Sequence, residues 1–123
     1  MSLFGTGEES ETDLVGIIDT GASVICIDKR IPLKLGLNAH NLKTMIVADG
    51  SEVQATVFMG ELSIPALDFR DWVELHGMPM KSETNRVLLG RSFLSPYHVT
   101  YSGPDERFHF SKSPAFLEAE HDG

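Results

Sequence analysis

The sequence predicts a mainly β fold with one or two short helices, and three observations lead to that expectation. Eleven glycines and six prolines divide the chain into short apolar segments, which suit strands better than long helices. Asp49-Gly50 lies between two apolar-rich arms, residues 42–48 and 52–59, and an Asp-Gly pair accepts the positive φ angles of a tight hairpin turn. Residues 14–18, 24–27 and 87–89 are short apolar runs of the kind that form buried strands.

The elements follow in order. A short strand near Leu3-Phe4 leads through a wide polar hairpin turn, residues 5–13, into a strand over residues 14–18 that ends at Asp19, and residues 24–27 form the next strand. Over residues 28–37 the pattern changes: Pro32, the apolar Ile31 and Leu35, and a stop at Gly36 predict about two turns of helix. After the Asp49-Gly50 hairpin, residues 61–64 and 71–75 are expected as further strands, residues 76–86 as a mobile loop and residues 87–89 as a buried strand. A helical turn over residues 91–94 is halted by Pro96, residues 97–101 and 107–110 make a last strand pair, and residues 111–123 read as a polar tail. In that tail Glu118, Glu120 and Asp122 are a solubilising end.

With 123 residues, 41% of them apolar, the chain is expected to form one domain over residues 1–123, with its core in residues 14–110. No apolar run is long enough to span a bilayer, and the N-terminus lacks the basic, apolar and small-residue succession of a secretion signal. The expectation is a soluble chain with no membrane partner, its compartment open and the cytoplasm favoured. Eighteen acidic against ten basic residues give a net charge of −8, and no dense Lys/Arg cluster could track a phosphate backbone, so nucleic acid is not expected as a partner. The single cysteine, Cys26, excludes an internal disulfide. His40, His76, His98, His109 and His121 lack metal-ligand spacing and read as solvated; neither metal nor cofactor is expected.

The most informative segment is Ile17-Ile18-Asp19-Thr20-Gly21-Ala22-Ser23-Val24-Ile25, where one carboxylate sits among small residues between two apolar strands. Burying such a carboxylate alone is costly. Gly21 permits a tight turn and the close approach of another chain, and the Thr20 hydroxyl can tie two backbones together. A ligand or a partner is therefore expected against Asp19, the plain alternative being a structural turn or cap. Cys26 reads as a small core residue rather than a nucleophile.

These residues resemble the retropepsin-like aspartic proteases, whose signature is an Asp-Thr/Ser-Gly-Ala/Ser loop between apolar strands. Asp19-Thr20-Gly21-Ala22 matches it in full, and Val87-Leu88-Leu89-Gly90-Arg91-Ser92-Phe93-Leu94 looks like the family's second motif, with Leu89, Gly90 and Arg91 at its centre. The hairpin tip, Val47, Ala48, Asp49, Gly50 and Ser51, falls where the family has its flap. The resemblance implies a closed β-barrel of the acid-protease type, forming half of an enzyme that acts as a homodimer. In that assembly each subunit would supply one Asp19 to an aspartic endopeptidase acting on peptide or protein substrates. It also implies that Thr20 cross-links the two loops, that Gly21 offers its carbonyl to substrate backbone, and that Val24, Ile25 and flap residues line side-chain pockets. A catalytically weak peptide-binding or dimerisation module of the same fold is the alternative, and a domain that dimerises a longer polyprotein is a third.

The chain departs from the retroviral pattern at three points. Ser23 stands where retroviral enzymes commonly have the acid that pairs with the arginine of the second motif, so Arg91 is left to bond a backbone carbonyl or another carboxylate. Asp49 at the flap tip is closer to cellular and bacterial members. Residues continue well beyond Phe110, which implies a dimer interface built differently.

Overall fold

The computed structural model describes residues 1–5, 7, 10–47, 49–80 and 85–112. Its elements are β1 (Ser2–Phe4), β2 (Ser10–Glu11), β3 (Val15–Ile18), β4 (Ile25–Asp28), α1 (Arg30–Lys34), β5 (Ala39–Ile46), β6 (Glu52–Ile64), a 3-10 turn (Pro65–Leu67), β7 (Phe69–Met78), β8 (Arg86–Leu89), α2 (Arg91–Leu94), β9 (Tyr97–Ser102) and β10 (Arg107–Lys112). The expectation of a mainly β fold with two short helices holds. Eight strands make one sheet in the order β2-β1-β6-β7-β4-β8-β3, with β5 added on β6, and β9 and β10 pair only with each other. The sheet curls into a half-barrel rather than the closed barrel expected. Its path ends at β2 and β3; β2 is two residues long and pairs with β1, too short to extend the ladder onward.

Local chemistry accounts for the turns. At the β5–β6 hairpin Gly50 takes φ 85°, the Val47 N–H donates to the Ser51 carbonyl at 2.9 Å, and Asp49 Oδ1 accepts the Ser51 N–H at 2.8 Å. In α1, Pro32 is buried within the helix's first turn, where its missing N–H leaves no gap, and Gly36 at φ 74° ends the segment. Leu3, Ile27, Phe58, Leu62, Leu75 and Val87 are the fully buried centre of the core.

Four expectations are corrected. The segments 52–59 and 61–64 are one strand of 13 residues, β6. Gly60 does not break it, because a Cβ there would lie 2.9 Å from Leu37 Cδ1 and 3.0 Å from Leu3 Cδ1; the glycine makes room for the core. Burial changes face along β6: Ala55 and Val57 are covered on one side, Phe58, Gly60, Leu62 and Ile64 on the other. The expected loop at 76–86 loses both its ends to strands, since His76, Gly77 and Met78 close β7, which lies between β4 and β6 in register Cys26↔His76 and Val57↔His76, and Arg86 opens β8. Residues 81–84 of that loop lie outside the described residues. The first hairpin joins β1 to β2, while β3 pairs with β8. The tail begins later than expected, because Ser111 and Lys112 belong to β10; residues 113–123, with Glu118, Glu120 and Asp122, lie outside the described residues.

Asp28, at the end of β4, is a buried carboxylate that the sequence did not single out. It is 1% exposed. Its Oδ1 accepts the N–H and Nε–H of Arg30, both at 2.9 Å, and its Oδ2 accepts Arg30 Nη2 at 2.8 Å and the Met80 N–H at 3.4 Å. The side-chain bonds from Arg30 hold the carboxyl below its ordinary range. A carboxylate depressed on folding stabilises the protein above its unfolded pKa, about 4, and that stability is lost as pH falls through the lower folded value. Asp28→Asn is therefore expected to cost about 1–3 kcal/mol at neutral pH and to melt with a flatter dependence on pH below 4 than wild type. Parallel melting curves for the two proteins across that range would show that Asp28 has no such role.

Candidate active site

Strand order builds the site. β8 lies between β3, to which it is parallel with Ile18 opposite Leu89, and β4, to which it is antiparallel with Cys26 opposite Leu88. The connection from β3 to β4, residues 19–24, must therefore pass over the end of β8, where the chain turns into α2. Asp19 extends the β3–β8 ladder by one bond, its N–H donating to the Leu89 carbonyl at 3.1 Å. The Ala22 N–H closes a turn on the Asp19 carbonyl at 3.2 Å, and the Gly21 N–H donates to Asp19 Oδ1 at 3.0 Å. One backbone donor thus orients the carboxylate. Asp19 and Ala22 are half-buried, Thr20 and Gly21 exposed.

The second motif clamps this loop from behind. A Cβ on Gly90 would lie 2.2 Å from the Val24 carbonyl oxygen and 2.7 Å from that of Ala22, so only glycine lets the loop settle on the start of α2. From there the Arg91 N–H donates to the Ala22 carbonyl and the Ser92 N–H to the Ser23 carbonyl, both at 2.9 Å. The guanidinium completes the clamp: Arg91 Nη1 donates to the Thr20 carbonyl at 2.7 Å. With Ser23 in place of an acid, the arginine bonds a backbone carbonyl, one of the two alternatives open in the sequence. Asp19, Thr20, Gly21, Ala22, Leu89, Gly90 and Arg91 are therefore brought together.

The residues expected to form a flap lie on a separate hairpin. Val47, Asp49, Gly50 and Ser51 form the hairpin tip, while Ala48 lies outside the described residues. The tip's hydrogen bonds are internal, and none among the described residues joins it to Asp19. The Ser51 hydroxyl and N–H hold the Asp49 carboxyl below its usual range. Behind the tip, the cross-strand partners Met45 and Val53 are half-buried while Ile46 is 75% exposed. The Met45–Val53 face of the hairpin is the one turned toward the body.

Cys26 follows two residues after Val24, buried, with its Sγ directed to the Val24 carbonyl at 3.8 Å. Burial, and then the negative charge of Asp19, push its thiol up to about 11. It stays protonated at neutral pH and packs as a core group.

Val24 and Ile25 border a half-open cleft of about 410 Å³, with Phe69, His76, Phe93 and Tyr97 among its other walls. Ile25 contributes from the core, being 3% exposed. His76, read as solvated from sequence, is fully buried with neither ring nitrogen hydrogen-bonded among the described residues. Glu74 Oε1 is 3.5 Å from Nε2, and burial keeps the imidazole below its ordinary pKa. A signal was present: from Phe69 onward Gly77 is the only strand breaker before Pro79, and Gly77 is itself a packing glycine, its Cβ position 2.8 Å from Phe58 Cε2.

Comparison with known proteins gives two matches. The sequence model of the family described as "gag-polyprotein putative aspartyl protease" matches residues 10–96, a span that contains both the Asp19 loop and the Gly90-Arg91 clamp. An "Uncharacterized protein in cobV 5'region" from Sinorhizobium sp is 32% identical over 97 residues, which cover 76% of this chain and 41% of that relative's length. No solved structure matches.

Proposed function

From the premise that the chain belongs to the retropepsin-like aspartyl proteases of the gag type, we propose that it is an endopeptidase whose active site forms when two copies bring their Asp19 carboxylates together. The observation that supports this most directly is the single half-buried carboxylate at the head of a clamped loop, oriented by one backbone N–H and otherwise open to a partner. One carboxylate cannot act as base and acid at once. Two, about 3 Å apart, cannot easily both ionise and so share a proton, and their titration belongs to the pair.

In the proposed reaction one Asp19 is ionised and takes a proton from a water as its oxygen attacks the scissile carbonyl carbon. The other Asp19, protonated, hydrogen-bonds the carbonyl oxygen as charge develops there. A proton then passes to the amide nitrogen, the C–N bond breaks and both carboxyls return to their starting states, with no covalent enzyme intermediate. Thr20 of each copy links the two loops, and the Gly21 carbonyl accepts a substrate N–H. The hairpin, by way of Val47, Ala48, Asp49, Gly50 and Ser51, closes over an extended peptide, with Met45 and Val53 on its inner face.

The test is cleavage of a denatured protein mixture across acidic to neutral pH, with and without a statine-type transition-state inhibitor. The expected outcome is a bell-shaped pH–rate profile, abolished by the inhibitor, with specific activity that falls on dilution as the pair dissociates. A folded dimer that cleaves nothing at any pH would favour the peptide-binding module instead.

A further inference from the structure

The half-open cleft of about 410 Å³ that Val24 and Ile25 border lies where a strand loses a neighbour. β7 pairs with β6 from Phe69 to Gly77, but with β4 only from Leu75 to Met78, so the far edge of residues 69–74 carries no strand. α2 and the base of the β9–β10 ribbon stand across that gap. Phe69, Phe93 and Tyr97 line it, the first two rings 5.1 Å apart and the last two 5.5 Å. Neither Asp19 nor Gly21 is among its walls. His76 is one of them, fully buried, and neither ring nitrogen has a hydrogen-bond partner among the described residues. A buried imidazole left in that state costs stability, and an apolar cleft with a few polar groups turned into it is the usual form of a small-molecule site.

We propose that this cleft binds a small organic cation, an aromatic or aliphatic body that ends in an ammonium group. Charge on the walls selects the sign: Asp71 and Glu74 stand against Lys112 alone, in a chain of net charge −8. Lys112 itself shows how the aromatic wall takes a cation, its ammonium lying 5.2 Å from the centre of the Tyr97 ring. At the inner end Glu74 Oε1 and His76 Nε2 are 3.5 Å apart, too far for a good hydrogen bond between them. Burial favours the neutral imidazole. With its proton on Nδ1, Nε2 and the Glu74 carboxylate are neighbouring acceptors, and one ammonium can donate to both. The Glu74 side chain is 58% exposed and can swing to admit it. A metal ion is not the occupant, because no group of three His, Cys, Asp or Glu among the described residues could hold one.

Calorimetric titration of the full chain with phenethylammonium tests the assignment, with phenylethanol and phenylacetate as the neutral and anionic counterparts and the NMR shifts of the His76 ring nitrogens as a local readout. The ammonium is expected to bind saturably with Kd of about 1 mM or below, about fivefold tighter than the alcohol, to move the His76 signals, and to have no rival in phenylacetate. Glu74→Gln is expected to remove that preference. Ser92→Trp, which places an indole in the cleft from an exposed position on α2, is expected to abolish binding of both, and Asp105→Asn, outside the cleft, to change nothing. Each variant is checked for folding by circular dichroism. No saturable binding up to about 20 mM, phenylacetate bound as tightly as the ammonium, or binding that survives in folded Ser92→Trp would each overturn the proposal. Glu74→Gln decides alone if Ser92→Trp does not fold: an unchanged preference there overturns it too. Because the readout is binding, a chain that cleaves no peptide would leave this site standing.

Discussion

Asp19→Asn is expected to give a folded protein that still self-associates and no longer hydrolyses peptides. Asparagine has the same shape, and its side-chain oxygen can still accept the Gly21 N–H that orients Asp19 Oδ1 at 3.0 Å, so the loop and its clamp are retained. What disappears is the proton traffic. Neither copy can take a proton from water or hold one against the scissile carbonyl, and general acid–base catalysis of this kind is worth about 10²–10⁴-fold for each role. Since both roles are lost in the proposed homodimer, kcat should fall by at least about 10⁴-fold with KM little changed, as for an interaction made only in the transition state. Pair affinity should hold or rise, because two neighbouring carboxyl groups no longer compete for one proton. Activity within tenfold of wild type would remove Asp19 from the chemistry.

Gly90→Ala carries the largest expected structural effect. The new Cβ would sit 2.2 Å from the Val24 oxygen, 2.7 Å from the Ala22 oxygen and 2.8 Å from the Val24 nitrogen. All three are backbone atoms, so no side chain can swing away. Gly90 has φ −82° and ψ −173°, ordinary extended backbone, and the penalty is one of space alone. Relief requires the 19–24 loop to rise from α2, breaking the bonds from the Arg91 and Ser92 N–H groups. A loss of about 3 kcal/mol in stability is expected, and displacement of the Asp19 loop by about 1 Å adds roughly 10²-fold in rate. Gly103→Ala is the control, since its Cβ would meet nothing nearer than Tyr101 Cε2 at 3.9 Å. Urea melts and cleavage rates on the two variants decide it: if Gly90→Ala matches Gly103→Ala in both, Gly90 is not what seats the loop.

The parts legible in the sequence were those fixed by near neighbours. Asp49-Gly50 determines its own turn, Pro32 and Gly36 bound their own helix, and the Asp19-Thr20-Gly21-Ala22 run carries its signature in consecutive residues. The parts that were not legible depend on what arrives from elsewhere. Gly60 and Gly77 read as punctuation, yet both lie inside long strands because Leu3, Leu37 and Phe58 need the volume a side chain would take. His76 read as loop because Gly77 beside it reads as a break, and the burial of the histidine comes from β4 and β6, which flank it from elsewhere in the chain. The partner of Arg91 stayed open for the same reason: the carbonyl it bonds belongs to Thr20, and only the passage of β8 between β3 and β4 brings the two together.

That passage also governs when the site can exist. Thr20 and Arg91 are 71 residues apart in sequence, and the strand that supports the Asp19 loop is the eighth of the ten formed by the described residues. Contacts this distant form late in folding, after the closure entropy of the intervening chain has been met. At about 5–20 residues per second, the ribosome takes roughly 4–14 s to travel from Thr20 to Arg91. Throughout that interval the Asp-Thr-Gly loop has no floor beneath it, so the order of the strands delays the seating of Asp19 until most of the chain has been made.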